Sequence, residues 1–290
     1  MSNDLIDKQL NNSPFVYRDK LTIPKNVNFG LELELDKIDP DKVYRLVRNQ
    51  IGGDWKIKED ESLTKGENAE IVSPVLQNNR ETWITLKKLG DILNKLNSNY
   101  DRCSFQVNFD GSLLPSLEKR VQFLKFYAMY EDIIYRFSKG EDSEYRDSLD
   151  MYASPIFVTL KHYVLLSYES DLIVGMFSDN KRYGVVFKNK NKDLIEFRTP
   201  NMTNNPLLWQ NYVNTFYYLL DASIGNKYDK KEVDRYVKGV HKMFLLENYE
   251  KEKKEKALEF CDTIFTNSLD KTNFMHQYLG DTSQKQYVLK

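Results

Sequence analysis

Apolar and polar residues alternate without a break in the segment NFGLELELD, residues 28–36. Because successive side chains of a strand point to opposite faces, this alternation predicts a strand with one apolar face and one acidic face. The same alternation predicts strands over residues 104–110 and 194–199, and the second of these is expected to form a hairpin with residues 183–188. The remaining predicted strands are residues 55–59 and 70–75.

Segments with helical spacing of apolar residues alternate irregularly with these strands. The sequence Asp39-Pro40-Asp41 begins a helix that continues to about residue 51, with proline in its first turn. Residues 150–177 are apolar and ambiguous, and a helix is favoured there. The other predicted helices are residues 80–96, 114–138, 206–224, 230–249 and 254–265. Short strands mixed with helices in this way predict an α+β fold, in which helices pack on one face of an antiparallel sheet.

Composition and charge narrow the class of protein. The chain has 290 residues, 41% hydrophobic and 29% charged, which is typical of a folded globular protein. Its 42 Lys and Arg residues against 43 Asp and Glu give a formal charge of −1. Proteins that bind nucleic acid regardless of sequence neutralise phosphates with an excess of basic residues, so a nucleic-acid partner is not expected.

The sequence also disfavours several common sites and locations. Cys103 and Cys261 are too few for a disulfide framework or a four-thiolate zinc site, and both are expected to be reduced and buried. Neither the dinucleotide-binding glycine motif nor the P-loop motif occurs. Residues 1–12 lack the apolar run of a secretory signal, so a cytoplasmic location is expected. The uncharged stretch 199–220 is interrupted by prolines and amides, so no membrane span is expected.

The polar faces of three predicted strands carry carboxylates, carboxamides and one guanidinium. These residues are Glu32, Glu34 and Asp36, then Ser104, Gln106, Asn108 and Asp110, and finally Glu196 and Arg198. If the strands are neighbours in one sheet, the groups line a common surface. A solvated sheet face also alternates in this way, which leaves a purely structural interpretation open. Acids on one face repel each other unless a cation lies among them, and Mg²⁺ is the hard ion that carboxylates and phosphates bind together.

Residues near two further strands extend this set. Glu70 adds an acid to the segment AEIVSPV. Lys58, Asp60 and Ser62 precede it in the segment WKIKEDESL. Asp60 and Ser62 are favoured as turn formers, because their short side chains bond to the nearby backbone.

Two charged residues outside the strands have alternative interpretations. Glu131 continues an apolar helical stripe, so it either pairs with a buried base or is functional. Arg146, in the acidic segment GEDSEYRD, is most simply a surface ion-pair residue. The three histidines are widely separated, which disfavours a histidine-rich zinc site or a histidine-dependent catalytic triad; they are His162, His241 and His276.

Taken in order, six segments resemble the amidoligase family of carboxylate-amine ligases, which is related to glutamate-cysteine ligase and glutamine synthetase. The segments are FGLELEL, WKIKEDESL, AEIVSPVL, CSFQVNFD, YEDIIYRF and LIEFRTPNMTNNPLLWQNYVN. The likeness covers about residues 28–220. It implies an N-terminal extension over residues 1–27, a catalytic domain over 28–224 and a C-terminal helical annex over 225–290.

The resemblance implies a curved, glutamine-synthetase-like antiparallel sheet whose concave face holds ATP and a divalent metal. ATP would phosphorylate a small-molecule or peptide carboxylate, and an amine would displace the phosphate to leave an amide. Glu32 and Glu34 match the metal-binding Glu-x-Glu motif, and Glu70 matches a further family acid. Glu196 and Arg198 match the Glu-Phe-Arg element, in which the glutamate binds metal and the arginine binds phosphate.

The resemblance is weaker at the middle strand, where family members often carry histidine. This chain has Gln106 followed by Asn108, whose carbonyl oxygens can assist a metal but cannot accept a proton as imidazole does. Lys58 is a candidate for a nucleotide phosphate, and Glu131 and Arg146 are candidates for substrate contact. Two alternatives stay open: a non-catalytic nucleotide- or peptide-binding module on the same fold, and a metal-dependent phosphoesterase. The sequence gives no oligomeric state.

Overall fold

The computed structural model describes most of the chain. The described residues are Leu10, 13–96, 98–142, 144–147, 149–189, 192–225, 227–240, Tyr249, 251–280 and the backbone of 285–286. His241 and the second half of the helix predicted over residues 230–249 lie largely outside this set.

The strands of the described residues fall into two sheets. In chain order they are β1 (Phe15–Val16), β2 (Asn28–Asp36), β3 (Lys56–Lys58), β4 (Asn68–Val72), β5 (Leu76–Gln77), β6 (Phe105–Asp110), β7 (Val185–Lys188), β8 (Leu194–Phe197) and β9 (Lys285–Gln286). The main sheet has the order β3-β4-β2-β6-β8-β7, with β5 paired to one end of β2, and all its neighbouring strands are antiparallel. β1 and β9 form a separate parallel pair.

The helices connect these strands and form the C-terminal part of the chain. They are α1 (Pro40–Gln50), α2 (Arg80–Leu93), α3 (Leu117–Met129), α4 (Glu131–Ser138), α5 (Leu149–Tyr152), α6 (Phe157–Leu165), α7 (Ser170–Met176), α8 (Pro206–Gly225), α9 (Lys230–Gly239), α10 (Lys254–Ile264) and α11 (Ser268–Leu279). The prediction of an α+β class with an antiparallel sheet and packed helices is confirmed.

Helices cover the apolar face of the main sheet. On β2 this face consists of alternate residues that are at most 2% exposed: Phe29, Leu31, Leu33 and Leu35. Rings of the helices stack on rings of the strands. Phe29 lies against Trp83 of α2, with 5.6 Å between ring centroids. Phe197 lies against Phe216 of α8, with 4.3 Å between centroids. The opposite, polar face of the sheet is therefore the one left for chemistry.

Most predicted elements lie close to those observed, but the helix α11 and the short strands β1, β5 and β9 were not predicted, and the segment 114–138 differs from its prediction. The single helix predicted there is wrong, because Tyr130 has φ −107° and ψ 14° and separates α3 from α4. The ambiguous segment 150–177 contains three helices, α5, α6 and α7. At α1 the sequence signal is confirmed, since Asp39 accepts hydrogen bonds from the backbone N–H groups of Asp41 and Lys42.

The N-terminal segment and the C-terminal helices pack into the same core as the sheet. Phe15, Tyr17 and Leu21 are at most 3% exposed. Gln210, in the middle of α8, accepts a hydrogen bond from the backbone N–H of Arg18 and donates one to its carbonyl. The amides that interrupt the uncharged stretch 199–220 thus bind neighbouring segments of the protein. Among the described residues, no helix combines the length and the apolar character that crossing a membrane requires.

Both cysteines are free and buried, as predicted. Burial raises the pKa of the Cys103 and Cys261 thiols, which keeps them in the unreactive protonated form. We expect neither thiol to react with Ellman's reagent in the folded protein, and both to react in concentrated guanidinium chloride. Stoichiometric reaction of the folded protein would contradict this burial.

Candidate functional site

The register of the main sheet places the predicted acids and amides on one face. Residues directly opposite each other on antiparallel strands point to the same side. Glu34 lies opposite Glu70, which lies opposite Lys58. Glu32 is paired with Gln106 in the same way, and Asn108 with Glu196. The three strands are neighbours in the order β2-β6-β8, so the condition for a common polar surface is met. We call this surface the carboxylate face; it comprises Glu32, Glu34, Lys58, Glu70, Gln106, Asn108, Lys188, Glu196 and Arg198.

A chain of buried hydrogen bonds crosses the carboxylate face. Arg198 donates from Nη1 to Glu196 Oε1 at 2.6 Å and to Gln106 Oε1 at 2.9 Å. Gln106 in turn donates from Nε2 to Glu34 Oε1 at 2.8 Å. The backbone N–H of Ser104 donates to the other oxygen of Glu34 at 2.7 Å. Gln106 therefore links the predicted phosphate-binding arginine to a predicted metal-binding acid.

A second group of contacts centres on Lys188. Its ammonium contacts Oε2 of Glu196 and lies 3.3 Å from Oε1 of Glu32. Asn108 donates from Nδ2 to the same Glu32 oxygen at 2.9 Å. Asn108 Oδ1 is buried and has no hydrogen-bond partner among the described residues. A buried acceptor without a donor is costly, so this oxygen is available to a ligand.

Glu32 and Glu70 form a carboxyl pair whose pKa values shift in opposite directions. Burial together with the hydrogen bond and negative charge of Glu32 raises the pKa of Glu70. Burial also acts on Glu32, but its hydrogen bond with Glu70 and the charges of Lys188 and Lys58 outweigh it and lower the pKa of Glu32. Lys58 Nζ lies 2.6 Å from Glu70 Oε2. Of the two carboxyls, Glu70 is therefore the one that takes up a proton more readily.

Two pockets open onto the carboxylate face, and Glu32 lines one of them while Glu70 lines the other. The larger has a volume of about 710 Å³ and a mainly apolar lining that includes Glu32 and Asn108. The smaller has a volume of about 540 Å³ and a polar lining that includes the buried Glu34 and Arg198 together with Glu70. A ligand with an apolar ring at one end and charged groups at the other would match both linings.

Arg146 is buried, so its interpretation as a surface ion-pair residue is wrong. Only 4% of it is exposed, and its guanidinium donates to three consecutive backbone carbonyls. The acceptors are Arg198 at 2.7 Å, Thr199 at 3.0 Å and Pro200 at 3.1 Å. Burial lowers the pKa of Arg146 to about 10. Arg146 lines the smaller pocket and fixes the backbone that carries Arg198.

Glu131 lies away from the carboxylate face and has a structural role. It is fully buried, and its carboxylate accepts hydrogen bonds from the backbone N–H groups of Ile156 and Phe157 at the start of α6. The hydroxyl of Tyr249 donates to it at 3.0 Å. A carboxylate at this position satisfies the free N–H groups of the helix and its positive dipole end. The observed role is helix capping, and Glu131 lines neither pocket on the carboxylate face.

Asp36, Asp60 and Ser62 make hydrogen bonds that stabilise loops beside the strands. Asp36 accepts hydrogen bonds from the backbone N–H of Thr64 at 2.9 Å and from its hydroxyl at 3.2 Å. Asp60 accepts from the backbone N–H of Ser62 at 2.8 Å, which confirms these two as turn formers. Asp36, the last residue of β2, therefore contacts the loop that carries Thr64.

Lys188 is the functional candidate that sequence reasoning missed. Lys188 lies two residues after Val186 on β7, and Val186 pairs with Glu196 on β8. Alternate residues of β7 therefore share the face of Glu196. The predicted hairpin of residues 183–188 with 194–199 could have identified Lys188. Once the two strands are paired, the face of Glu196 on one strand determines the face of Lys188 on the other.

The residues of the carboxylate face fit a hard divalent cation in their chemistry. Glu32, Glu196 and the unpartnered Asn108 Oδ1 supply the oxygen ligands that Mg²⁺ prefers. Within the part of the chain that the structure describes, no three acidic, histidine or cysteine side chains converge as a metal site. Lysine and arginine side chains balance the acids instead.

The bridging position of Gln106 allows a test by substitution. Replacing Gln106 with leucine removes one hydrogen bond from each of two buried charged groups, Glu34 and Arg198. We expect the free energy of unfolding in urea to fall by about 2–4 kcal/mol. Gln77→Leu, the same change at an exposed position of β5, should alter it by less than about 0.5 kcal/mol. Equal effects of the two substitutions would contradict the bridging role.

Comparison of the chain with protein-family models and with curated proteins found no match. The function is therefore inferred from the chemistry of the site.

Proposed function

We propose that this protein is an ATP- and Mg²⁺-dependent carboxylate-amine ligase of the amidoligase type, with a curved, glutamine-synthetase-like sheet. The observation that carries the proposal is the carboxylate face itself. These acids, Glu32, Glu34, Glu70 and Glu196, come from three strands and share one face of the sheet with Arg198. Glu32 lines the larger pocket, and Glu34, Glu70 and Arg198 line the smaller one. The motif resemblance assigns metal and phosphate roles to these same residues.

In the proposed reaction, the substrate carboxylate takes the γ-phosphoryl group from ATP and ADP leaves. The amine nitrogen then bonds to the acyl carbon, and phosphate and one proton are released with the amide. The chain's own contribution is positioning and charge. Arg198 would contact the γ-phosphate, and its orientation is fixed by Glu196, Gln106 and the carbonyl of Tyr152.

The acids of the carboxylate face would hold the metal, assisted by the carbonyl oxygens of Asn108 and Gln106. A bound Mg²⁺ supplies neutralisation of the phosphate oxygens during phosphoryl transfer. Lys58, whose side chain is 56% exposed, can turn from Glu70 toward a nucleotide phosphate. Arg146 borders the smaller pocket, where a substrate carboxylate or amine would contact its charged lining.

The proposal is tested with purified protein, Mg-ATP, and pools of amino acids and short peptides that supply both carboxylates and amines. We expect ADP release that requires an amine and stops when EDTA removes the metal. The amide product is identified by mass spectrometry in the active pool. Absence of amine-dependent ADP release in every pool would contradict the ligase.

A non-catalytic nucleotide- or peptide-binding module is the second candidate. The specific observation in its favour is that protein cations already balance the acids, as Lys58 balances Glu70 and Lys188 balances Glu196. Titration calorimetry separates the two functions. Nucleotide binding of equal strength with Mg²⁺ and with EDTA, without turnover, would favour the module.

A further inference from the structure

The ammonium of Lys188 lies between two carboxylates of the carboxylate face. It contacts Glu196 directly and is 3.3 Å from Glu32 Oε1. Glu196 is 1% exposed and Glu32 is 15% exposed in their side chains, so little water screens either charge. A single positive charge therefore bridges two acids from non-adjacent strands, β2 and β8. This is the position that a bridging metal ion would take.

Asn108 supplies the independent observation that this position can accept a ligand. Its strand, β6, lies between β2 and β8, and Asn108 is paired with Glu196 across the sheet. Its amide nitrogen bonds to Glu32, while its buried carbonyl oxygen has no partner among the described residues. Asn108 is only 6% exposed. The ammonium of Lys188 contacts Glu32 and Glu196 and, within the described part of the chain, leaves Asn108 Oδ1 without a partner, whereas a divalent cation binds several oxygens at once.

We infer that Lys188 is an internal counter-ion that competes with a divalent cation for the oxygens of Glu32, Asn108 and Glu196. In the unliganded protein the ammonium neutralises the two carboxylates. When a divalent ion binds these oxygens, the ammonium leaves them. The inference rests on the proposed function for the identity of the metal, Mg²⁺, but the competition itself involves only the residues of this site.

The structure allows the lysine to leave. Its side chain is 29% exposed, and its strand, β7, is one of the edge strands of the main sheet. A third pocket, of about 340 Å³, is lined by Lys188 together with Val186, Leu194 and Lys192 among others. Lysine carries its charge on a flexible four-carbon stem, so it can turn into this space without movement of the backbone.

The charge balance gives the direction of the effect. Glu32 and Glu196 carry two negative charges, and Lys188 and Arg198 balance them. Removing the lysine charge leaves one uncompensated negative charge beside three oxygen ligands. Divalent-cation affinity should then rise, because the ion no longer has to displace an ammonium.

The test measures Mn²⁺ binding without nucleotide, from the decrease of the free-ion electron paramagnetic resonance signal. We expect Lys188→Met to bind Mn²⁺ at least tenfold more tightly than the unchanged protein. Lys192→Met removes an equal charge from an exposed position of the adjoining pocket and should change the affinity less than threefold. Adding Glu196→Gln to Lys188→Met should abolish the gain.

An affinity for Mn²⁺ that stays unchanged in Lys188→Met, or that rises equally in Lys192→Met, would overturn the inference. Lys188→Gln is the second variant if Lys188→Met does not show the thermal unfolding of a folded protein. No turnover enters this measurement. If Lys188→Met binds Mn²⁺ more tightly but the protein has no ligase activity, the competition stands and the ligase proposal is contradicted. If the protein has ligase activity but Lys188→Met shows no gain in Mn²⁺ affinity, the ligase proposal stands and the competition is contradicted.

Discussion

Replacing Glu196 with glutamine is expected to lower amine-dependent ADP release by about 100-fold or more. Glu196 is 1% exposed, and its two oxygens contact Arg198 and Lys188. Glutamine keeps the size of the side chain but removes the charge that orients the guanidinium and binds a cation. Both effects act on the phosphate end of the proposed reaction, so kcat should fall more than the affinity for the amine.

The matched control for this substitution is Glu255→Gln, which removes one carboxylate at an exposed position of α10. Its ADP release should stay within twofold of that of the unchanged protein. Urea unfolding of both variants shows whether they are folded under the assay conditions. Retention of activity by a folded Glu196→Gln variant would remove Glu196 from the proposed reaction.

Replacing Asp270 with alanine is expected to lower the free energy of unfolding by about 3–5 kcal/mol. Asp270 is fully buried and accepts a hydrogen bond from Arg18 Nη1 at 2.6 Å. The hydroxyl of Thr22 donates to its other oxygen at 2.5 Å. Alanine leaves the guanidinium of Arg18, which is 11% exposed, without its counter-charge. The Arg18–Asp270 pair joins the N-terminal segment to α11, so the N-terminal segment and α11 should both unfold at a lower urea concentration in this variant.

Asp262→Ala is the control, because Asp262 forms an ion pair with Lys271 near the same helices but is 44% exposed. An exposed pair contributes about 0–1 kcal/mol, so this variant should unfold close to the unchanged protein. If the free energy of unfolding falls no more for Asp270→Ala than for Asp262→Ala, the Arg18–Asp270 contact does not stabilise the N-terminal segment.

The strands that build the site could be predicted because their signal is local. Residues 28–36 alternate over their full length, and the observed strand has the same bounds. Alternation also put Glu32, Glu34 and Glu196 on polar faces, which depends only on the geometry of each strand. The antiparallel class of the sheet followed from short strands and the absence of regular strand-helix alternation, whereas the order β2-β6-β8 is known only from the structure.

The roles of Arg146 and Glu131 could not be predicted, because their partners are distant in the chain. Arg146 donates to the carbonyl of Arg198, 52 residues away. Glu131 accepts from the N–H of Ile156, 25 residues away. A charged residue in a loop or on a helix has the same local pattern whether it faces water or a backbone. The break at Tyr130 was missed for a related reason, since apolar spacing continues across it.

A crystal structure of the protein grown with Mg²⁺ and ADP tests the central claim most directly. We expect the nucleotide in the pockets lined by Glu32 and by Glu70, with its ring in the larger, mainly apolar pocket. The phosphates should lie against Arg198, with the metal bound by oxygens of the carboxylate face. Nucleotide ordered on any other surface, with the carboxylate face unchanged, would contradict the proposed site and the ligase with it.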